Sequence, residues 1–233
     1  MEYDALLDYS RVSARPTFEV NLNRTAHPAK VFRRPGIERR QRLLQAARTL
    51  LSRRDMTQIS LADVAGEARI PKGSAYFFYK DISDLYLHLV GEFGAEMVAD
   101  VSRPVPGTPE GWQDIIRSLI RRGVRFYARH PAARQLATNP RTTPDLKLRD
   151  RQNDISLGQI FRSHVEVHFR LPEHPGLDAA FFRAVEIADL MFCLSVLEHG
   201  RVTPPMAAEA AIACIAYLQV YLGESLPRRF DAR

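Results

Sequence analysis

The sequence predicts an all-α protein of about nine helices, and three observations support this. Apolar residues recur at helical spacing through most of the 233-residue chain. We find no alternating pattern typical of strands and no internal repeat. Breaks that contain proline and glycine separate the periodic stretches, for example at residues 103–109 and 171–176. The fold class therefore follows from the helical spacing of apolar residues and from the proline and glycine breaks between the helices.

Each periodic stretch predicts one helix. Residues 1–35 show no sustained period and are interpreted as a flexible basic arm. Helices are expected at residues 37–51, 61–68, 71–77, 82–101, 112–130, 132–138, 145–169, 178–199 and 205–222. Gly200 and the pair Pro204-Pro205 mark the stop and restart between the last two helices.

Basic residues cluster near the N-terminus. The net charge is +6, yet the segment Arg24–Arg54 holds ten basic residues and one acid, Glu38, so the rest of the chain sums to −3. A local basic block suits a polyanionic partner, because contacts with phosphates release counterions from DNA. A solvated, charged helix face is the alternative, and charge alone does not decide between the two.

Several protein classes are disfavoured by composition. Hydrophobic residues make up 45% of the chain, but no run of 18 apolar residues and no signal peptide is apparent. We therefore expect a cytoplasmic protein without a membrane partner. Cys193 and Cys214 are expected to be buried thiols, with a redox pair as the alternative. No catalytic or phosphate-cradling motif is present, so neither an enzyme nor a cofactor is expected.

The segment from Ser60 to Tyr79 predicts two short helices joined by a tight turn. Ser60 and Asp63 have the spacing of a capping box at the start of the first helix. Small apolar residues follow and allow another helix to approach closely. Pro71 is preset for a helix start, and the small polar residues after it allow close approach to DNA. This arrangement is typical of a helix-turn-helix whose second helix enters the major groove.

Here the sequence resembles the tetracycline-repressor (TetR) family over about residues 37–90. The matching positions are Leu61, Asp63, Val64, Ala65, Ala68, Ile70, Gly73, Tyr76, Tyr79 and Leu85. The resemblance implies a helix-turn-helix DNA-binding domain at residues 36–82. It also implies a helical effector-binding and dimerisation domain at residues 83–226.

Four positions depart from the family pattern. Arg69 replaces the turn glycine, so the turn must accept a side chain, at a strained φ. Pro71 replaces the usual serine cap, and Phe78 stands where histidine is common. Ile82 replaces a lysine that often contacts phosphate, a role for which Lys80 is the substitute. These departures bear on the DNA contacts more than on the fold.

The resemblance implies roles for individual residues. Base-facing candidates are Lys72, Ser74, Ala75 and Phe77, and phosphate-contact candidates are Tyr76 and Lys80. Arg39, Arg40 and Arg42 lie where family members meet phosphate. The complete predicted DNA-binding set is Arg39, Ser60, Lys72, Gly73, Ser74, Ala75, Tyr76, Phe77 and Lys80. A core position is the alternative for Tyr76. Arg33 and Arg34 of the arm either enter an adjacent minor groove or have no role.

Large apolar side chains in the second half predict a core and, by resemblance, an effector pocket between helices. The effector-binding candidates are Phe126, Phe161, His164, Phe182 and Phe192. Arg117, Arg121 and Arg125 share a helix face that could meet an anionic effector, although a solvated face is favoured. His164 and His168 have the spacing of two metal ligands, but a polar helix end is the default interpretation.

The last two helices are expected to form a four-helix interface in a homodimer, because residues 205–222 carry more apolar surface than one side needs. These features together predict a ligand-responsive regulator. A repressor would bind a palindromic double-stranded operator and release it when a small molecule binds. The alternative is a protein of this fold with altered or lost operator binding, either a nucleoid-associated regulator or a small-molecule-binding protein.

Overall fold

A computed structural model of the protein describes residues 34–139 and 141–229. Within these ranges the chain forms nine α-helices and no extended strand, which confirms the predicted all-α class. The helices are α1 (Arg34–Leu51), α2 (Leu61–Glu67), α3 (Lys72–Phe78), α4 (Ile82–Val101), α5 (Trp112–Arg129), α6 (Pro131–Thr138), α7 (Pro144–His168), α8 (Leu177–His199) and α9 (Pro204–Leu222). A 3₁₀ turn, Met56–Gln58, precedes α2.

The N-terminal boundary differs from the prediction. Helix α1 begins at Arg34, so Arg34 and Pro35 lie in its first turn and not in an arm. Proline is accepted there because the first amides of a helix have no intrahelical acceptor. The remainder of the predicted arm, residues 1–33 with Arg33, lies outside the described residues.

Helices α1, α2 and α3 pack together at the N-terminal end. The inner face of α1 buries Leu43, Ala47 and Leu51 completely, and α2 buries Val64 and Ala65 against it. On the opposite face of α1, Arg34, Arg39 and Arg42 are exposed. The periodicity of the sequence therefore produces a small three-helix unit with a basic outer side.

The larger body is a bundle in which α8 packs on α7 and α9, α7 on α4, and α9 on α5. Glycine permits the closest of these approaches. A Cβ added at Gly158 of α7 would lie 2.8 Å from the backbone nitrogen of Phe182 in α8. Such a contact is too short, so α7 and α8 meet backbone to backbone at this point.

Gln135 of α6 joins the two parts of the protein. Its side-chain oxygen accepts from the Met56 amide at 2.9 Å. Its side-chain nitrogen donates to the carbonyls of Leu51 and Arg54, at 2.5 and 2.8 Å. One glutamine therefore holds the end of α1 and the connection to α2 against α6.

Helix α9 is, by length and composition, the one described helix apolar enough to cross a bilayer. Its inner face buries Cys214 and Leu218 completely against α8 and α5. Its outer face exposes 59% of Ile212 and 57% of Val220. The helix is therefore apolar on two sides, as predicted for residues 205–222.

Candidate nucleic-acid interface and ligand cavity

The first helix of the predicted helix-turn-helix begins with a complete capping box, as predicted. The Ser60 hydroxyl accepts from the Asp63 amide at 3.2 Å, and the Asp63 carboxylate accepts from the Ser60 amide at 2.8 Å. The carboxylate also accepts from the Ser60 hydroxyl at 2.6 Å, and these bonds lower the pKa of Asp63. Two amides that would otherwise lack partners are satisfied, which fixes the start of α2.

The turn between α2 and α3 is strained at Arg69, as predicted from the missing glycine. Arg69 has a φ of +53° and is the one non-glycine residue with a positive φ in the described ranges. A left-handed backbone costs a non-glycine residue about 1–2 kcal/mol. Arg42 of α1 binds this turn by donating to the carbonyls of Ala68 and Arg69, at 2.6 and 3.2 Å. Arg42 was expected near phosphate, but it contacts the protein backbone here.

Helix α3 presents most of its predicted contact residues to solvent. Lys72 and Gly73 are exposed, and the Tyr76 and Phe77 side chains are 54% and 60% exposed. Tyr76 is therefore not a core aromatic residue. Ser74 is half-buried.

The prediction that Ala75 faces the bases is wrong, because the exposed fraction of its side chain is 0%. The residue lies on the face of α3 that packs against α1 and α2. A methyl group enclosed by these helices cannot reach a base edge. The periodicity of α3 thus divides the predicted set into an outward face and one buried position.

The end of α3 is tied to its neighbours through Tyr79. This side chain is buried, and its hydroxyl lies 2.7 Å from Nδ1 of His88 in α4 and accepts from Nε of Arg40 at 3.3 Å. Burial raises the pKa of Tyr79 to about 12 and lowers that of His88. Arg40 is thus engaged within the protein, whereas Arg39 and Lys80 are exposed.

Two cavities lie inside the helical body. The first is a narrow cavity of about 30 Å³ bounded by α4, α5, α6 and α7. The second is a narrow cavity of about 50 Å³ bounded by α4, α5, α7 and α8. Four side chains line both cavities and separate them: Met97, Tyr127, Asp154 and Leu157.

The structure places three of the five predicted effector residues at these cavities. Phe126 lines the first cavity, and Phe161 and Phe192 line the second. His164 and Phe182 line neither. The His164 imidazole lies 2.9 Å from the Val101 carbonyl, at the end of α4. No group of three side chains able to hold a metal ion occurs in the part of the chain that the structure describes.

Acidic residues at the cavities were missed by the sequence analysis. Asp150 lines the first cavity, Asp189 the second and Asp154 both. Lys147 makes ion pairs with Asp189 at 2.8 Å and with Asp150 at 3.6 Å. Burial, and after it the nearby charge of Asp189, raise the pKa of Asp150 to about 7. In the sequence, the helical spacing of residues 147, 150 and 154 along one face of α7 could have predicted this charged cluster.

Comparison with known proteins defines the fold. No family model matches the chain. A TetR-family transcriptional regulator from Streptomyces coelicolor superposes with a TM-score of 0.59 at 21% identity, over 79% of this chain and 99% of that chain. A TetR transcriptional regulator from Rhodococcus sp. RHA1 gives 0.55 at 22%, over 78% and 96%. The chain has the TetR-family fold.

A third structure with this fold is the multidrug binding protein EbrR complexed with ethidium. It superposes with a TM-score of 0.56 at 19% identity, over 77% of this chain and 98% of that chain. These matches span nearly the whole of each neighbour.

Proposed function

We propose that this protein is a ligand-responsive transcriptional regulator, a repressor that binds a palindromic DNA operator as a homodimer. The outward face of α3 carries this proposal. Lys72, Tyr76 and Phe77 project from a rigid scaffold that is fixed by the capping box and by Arg42. Lysine suits a phosphate contact, and an exposed aromatic ring suits a thymine methyl or a sugar.

A homodimer would form through the outer faces of α8 and α9. Leu190, Leu194 and Leu197 are exposed along α8. On α9 the exposed residues Ala208, Ile212, Ala216 and Val220 recur at every fourth position. Exposed apolar side chains on two adjacent helices are costly in water and suit pairing with a second copy about a two-fold axis. Such an axis would place two α3 helices about 34 Å apart, one turn of DNA.

Ligand response is proposed to pass from the first cavity to α1. Phe93 of α4 lines that cavity, and the Arg48 guanidinium of α1 lies 4.1 Å from the centre of its ring. Arg48 also pairs with Glu92 and Glu96 of α4, each at 2.8 Å. A molecule that displaces Phe93 would therefore shift the contacts that orient α1, and with them the DNA-binding unit.

The small-molecule effector is supported by the cavities and by the fold. EbrR, which shares the fold, was solved in complex with ethidium. Phe126, Phe161 and Phe192 are proposed as effector contacts because they line the cavities here. The proposal does not extend to His164 or Phe182.

Selection of bound sequences from random double-stranded DNA, followed by gel-shift titration, tests the proposal. We expect a palindromic consensus and an affinity that falls steeply with salt. Lys72→Ala should weaken binding by about tenfold and lower the salt dependence by about one phosphate contact. Tyr76→Ala should also weaken binding without unfolding the protein, since its side chain is more than half exposed.

Arg121→Ala is the control for Lys72→Ala, because it removes the same charge from an exposed position on α5. It should leave DNA affinity unchanged. Failure to select any sequence, or equal losses for Lys72→Ala and Arg121→Ala, would favour the alternative of a TetR-fold protein without operator binding. Circular dichroism verifies that each variant is folded.

A further inference from the structure

We propose that the effector is an apolar organic ammonium ion and that Asp154 is its counter-ion. This inference rests on the proposed ligand response and names the chemical class of the ligand. It follows from one unpaired carboxylate, the charges around it and the rings that surround it.

Asp154 lies at the junction of the two cavities and lines both. Its exposure is only 7%. Its carboxyl makes no hydrogen bond and no ion pair in the described ranges, and its oxygens are not among the fully enclosed unpaired atoms there, so they keep some surface toward the cavities. A buried polar group without a partner is costly, and proteins rarely keep one without a use. An ammonium ion in the cavity would supply the missing partner.

The groups that face Asp154 are mostly acidic. Helix α7 contributes Asp150 and Lys147, and α8 contributes Asp189 and Glu186. Lys147 is already held by Asp150 and Asp189. Glu186 accepts from Arg151 through one oxygen, while its other oxygen is buried without a partner in the described structure. The α4 side chains at the cavities carry no charge, and α5 adds only Tyr127.

Two consequences follow from this distribution of charge. Burial, reinforced by repulsion from Asp150, raises the pKa of Asp154 and so favours the protonated form of the carboxyl. A bound cation would favour the charged form and release that proton. An anionic effector would meet three carboxyl groups. The exposed positions of Arg117, Arg121 and Arg125 offer it no counter-charge at either cavity.

Aromatic rings around Asp154 define the rest of the ligand. Phe126, Tyr127, Phe161 and Phe192 line the cavities, and the Tyr127 and Phe192 rings meet edge to face at 6.1 Å. Ring faces attract cations and also accept an apolar body. A small inorganic cation would leave the aromatic surfaces without a contact, whereas an ammonium group on an aromatic body would contact both the carboxyl group and the rings.

Isothermal titration calorimetry with three probes of similar shape tests the inference. They are 2-phenylethylamine, a cation at neutral pH; 2-phenylethanol, which is neutral; and phenylacetate, an anion. The amine should bind the wild-type protein about tenfold or more tightly than the alcohol, as expected for a charge-assisted bond. Titration in buffers of different ionisation enthalpy should show that a proton is released on binding.

Asp154→Asn keeps the shape of the side chain and removes its charge, so it should abolish the preference for the amine. Asp145→Asn, an exposed position on the same helix, should retain it. The inference is overturned if the amine fails to bind saturably, if it binds no tighter than the alcohol or phenylacetate, or if Asp154→Asn keeps the preference. Should Asp154→Asn fail to fold, the wild-type preference and proton release decide.

Gel-shift assays with the selected DNA separate this inference from the proposed function. If the amine binds but leaves DNA affinity unchanged, the ammonium site stands and the ligand-responsive mechanism fails. If the operator is bound specifically but the amine is not, the regulator stands and the ammonium assignment is overturned.

Discussion

Truncation of Gln135 tests how firmly α6 holds the unit formed by α1, α2 and α3. Gln135→Ala removes three hydrogen bonds to the backbone at the end of α1 and before α2. Two of these bonds are partly buried and the third is exposed, so water replaces the third most easily. At about 1 kcal/mol for each partly buried bond, the loss in the free energy of unfolding is about 2 kcal/mol.

Thermal unfolding at fixed protein concentration measures this loss. For a chain of this length, about 2 kcal/mol corresponds to a fall in Tm of about 4–8 °C. Hydrogen–deuterium exchange should accelerate at the Met56 amide, because Gln135 is its acceptor. Gln113→Ala is the control, since it removes one exposed bond, to the Glu224 carbonyl at 2.7 Å. Equal changes in Tm for the two variants, or unchanged exchange at Met56, would refute the reasoning.

Two further predictions concern backbone strain and pH. Arg69→Gly should raise the free energy of unfolding by up to about 1 kcal/mol, because glycine accepts the positive φ at less cost. Arg69→Ala keeps the strain and should give no gain in thermal unfolding; equal gains would contradict the assignment. Because the pKa of Asp154 is higher in the folded than in the unfolded protein, protonation of its carboxyl contributes to the free energy of unfolding. This contribution is complete below pH 3.8, the pKa in the unfolded chain, and is lost as pH rises through the pKa in the folded protein. The Tm of wild type should therefore fall relative to that of Asp154→Asn as pH rises above 4, and a constant difference would contradict the raised pKa.

Local signals in the sequence predicted the helices and the α2–α3 unit. The Ser60–Asp63 spacing identified the capping box, and the missing glycine at Arg69 identified the strained turn. Both depend on contacts within a few residues. The misplacement of Ala75 has a simple cause: resemblance assigned it to the contact surface, while the rotation of α3 turns it inward.

Contacts between distant segments could not be predicted in this way. Gln135 binds residues about eighty positions earlier in the chain, and no period or motif marks it. The pairing of Lys147 with Asp189 depends on how α7 lies against α8. The solvated face favoured for Arg117, Arg121 and Arg125 agrees with their exposure, but no pattern in the sequence predicted that the packed interior holds acidic groups.

The apolar strip on α8 and α9 also has a consequence for the amount of protein that a cell must make. If only the homodimer spans both halves of an operator, monomers bind DNA weakly. Below the dimer dissociation constant, operator occupancy then rises with the square of the protein concentration. Ile212 and Val220 would contribute to that constant in the proposed dimer, because they are large exposed side chains on the outer face of α9. The response of the promoter to the number of protein molecules in the cell would thus be steeper than for a protein that binds as a monomer.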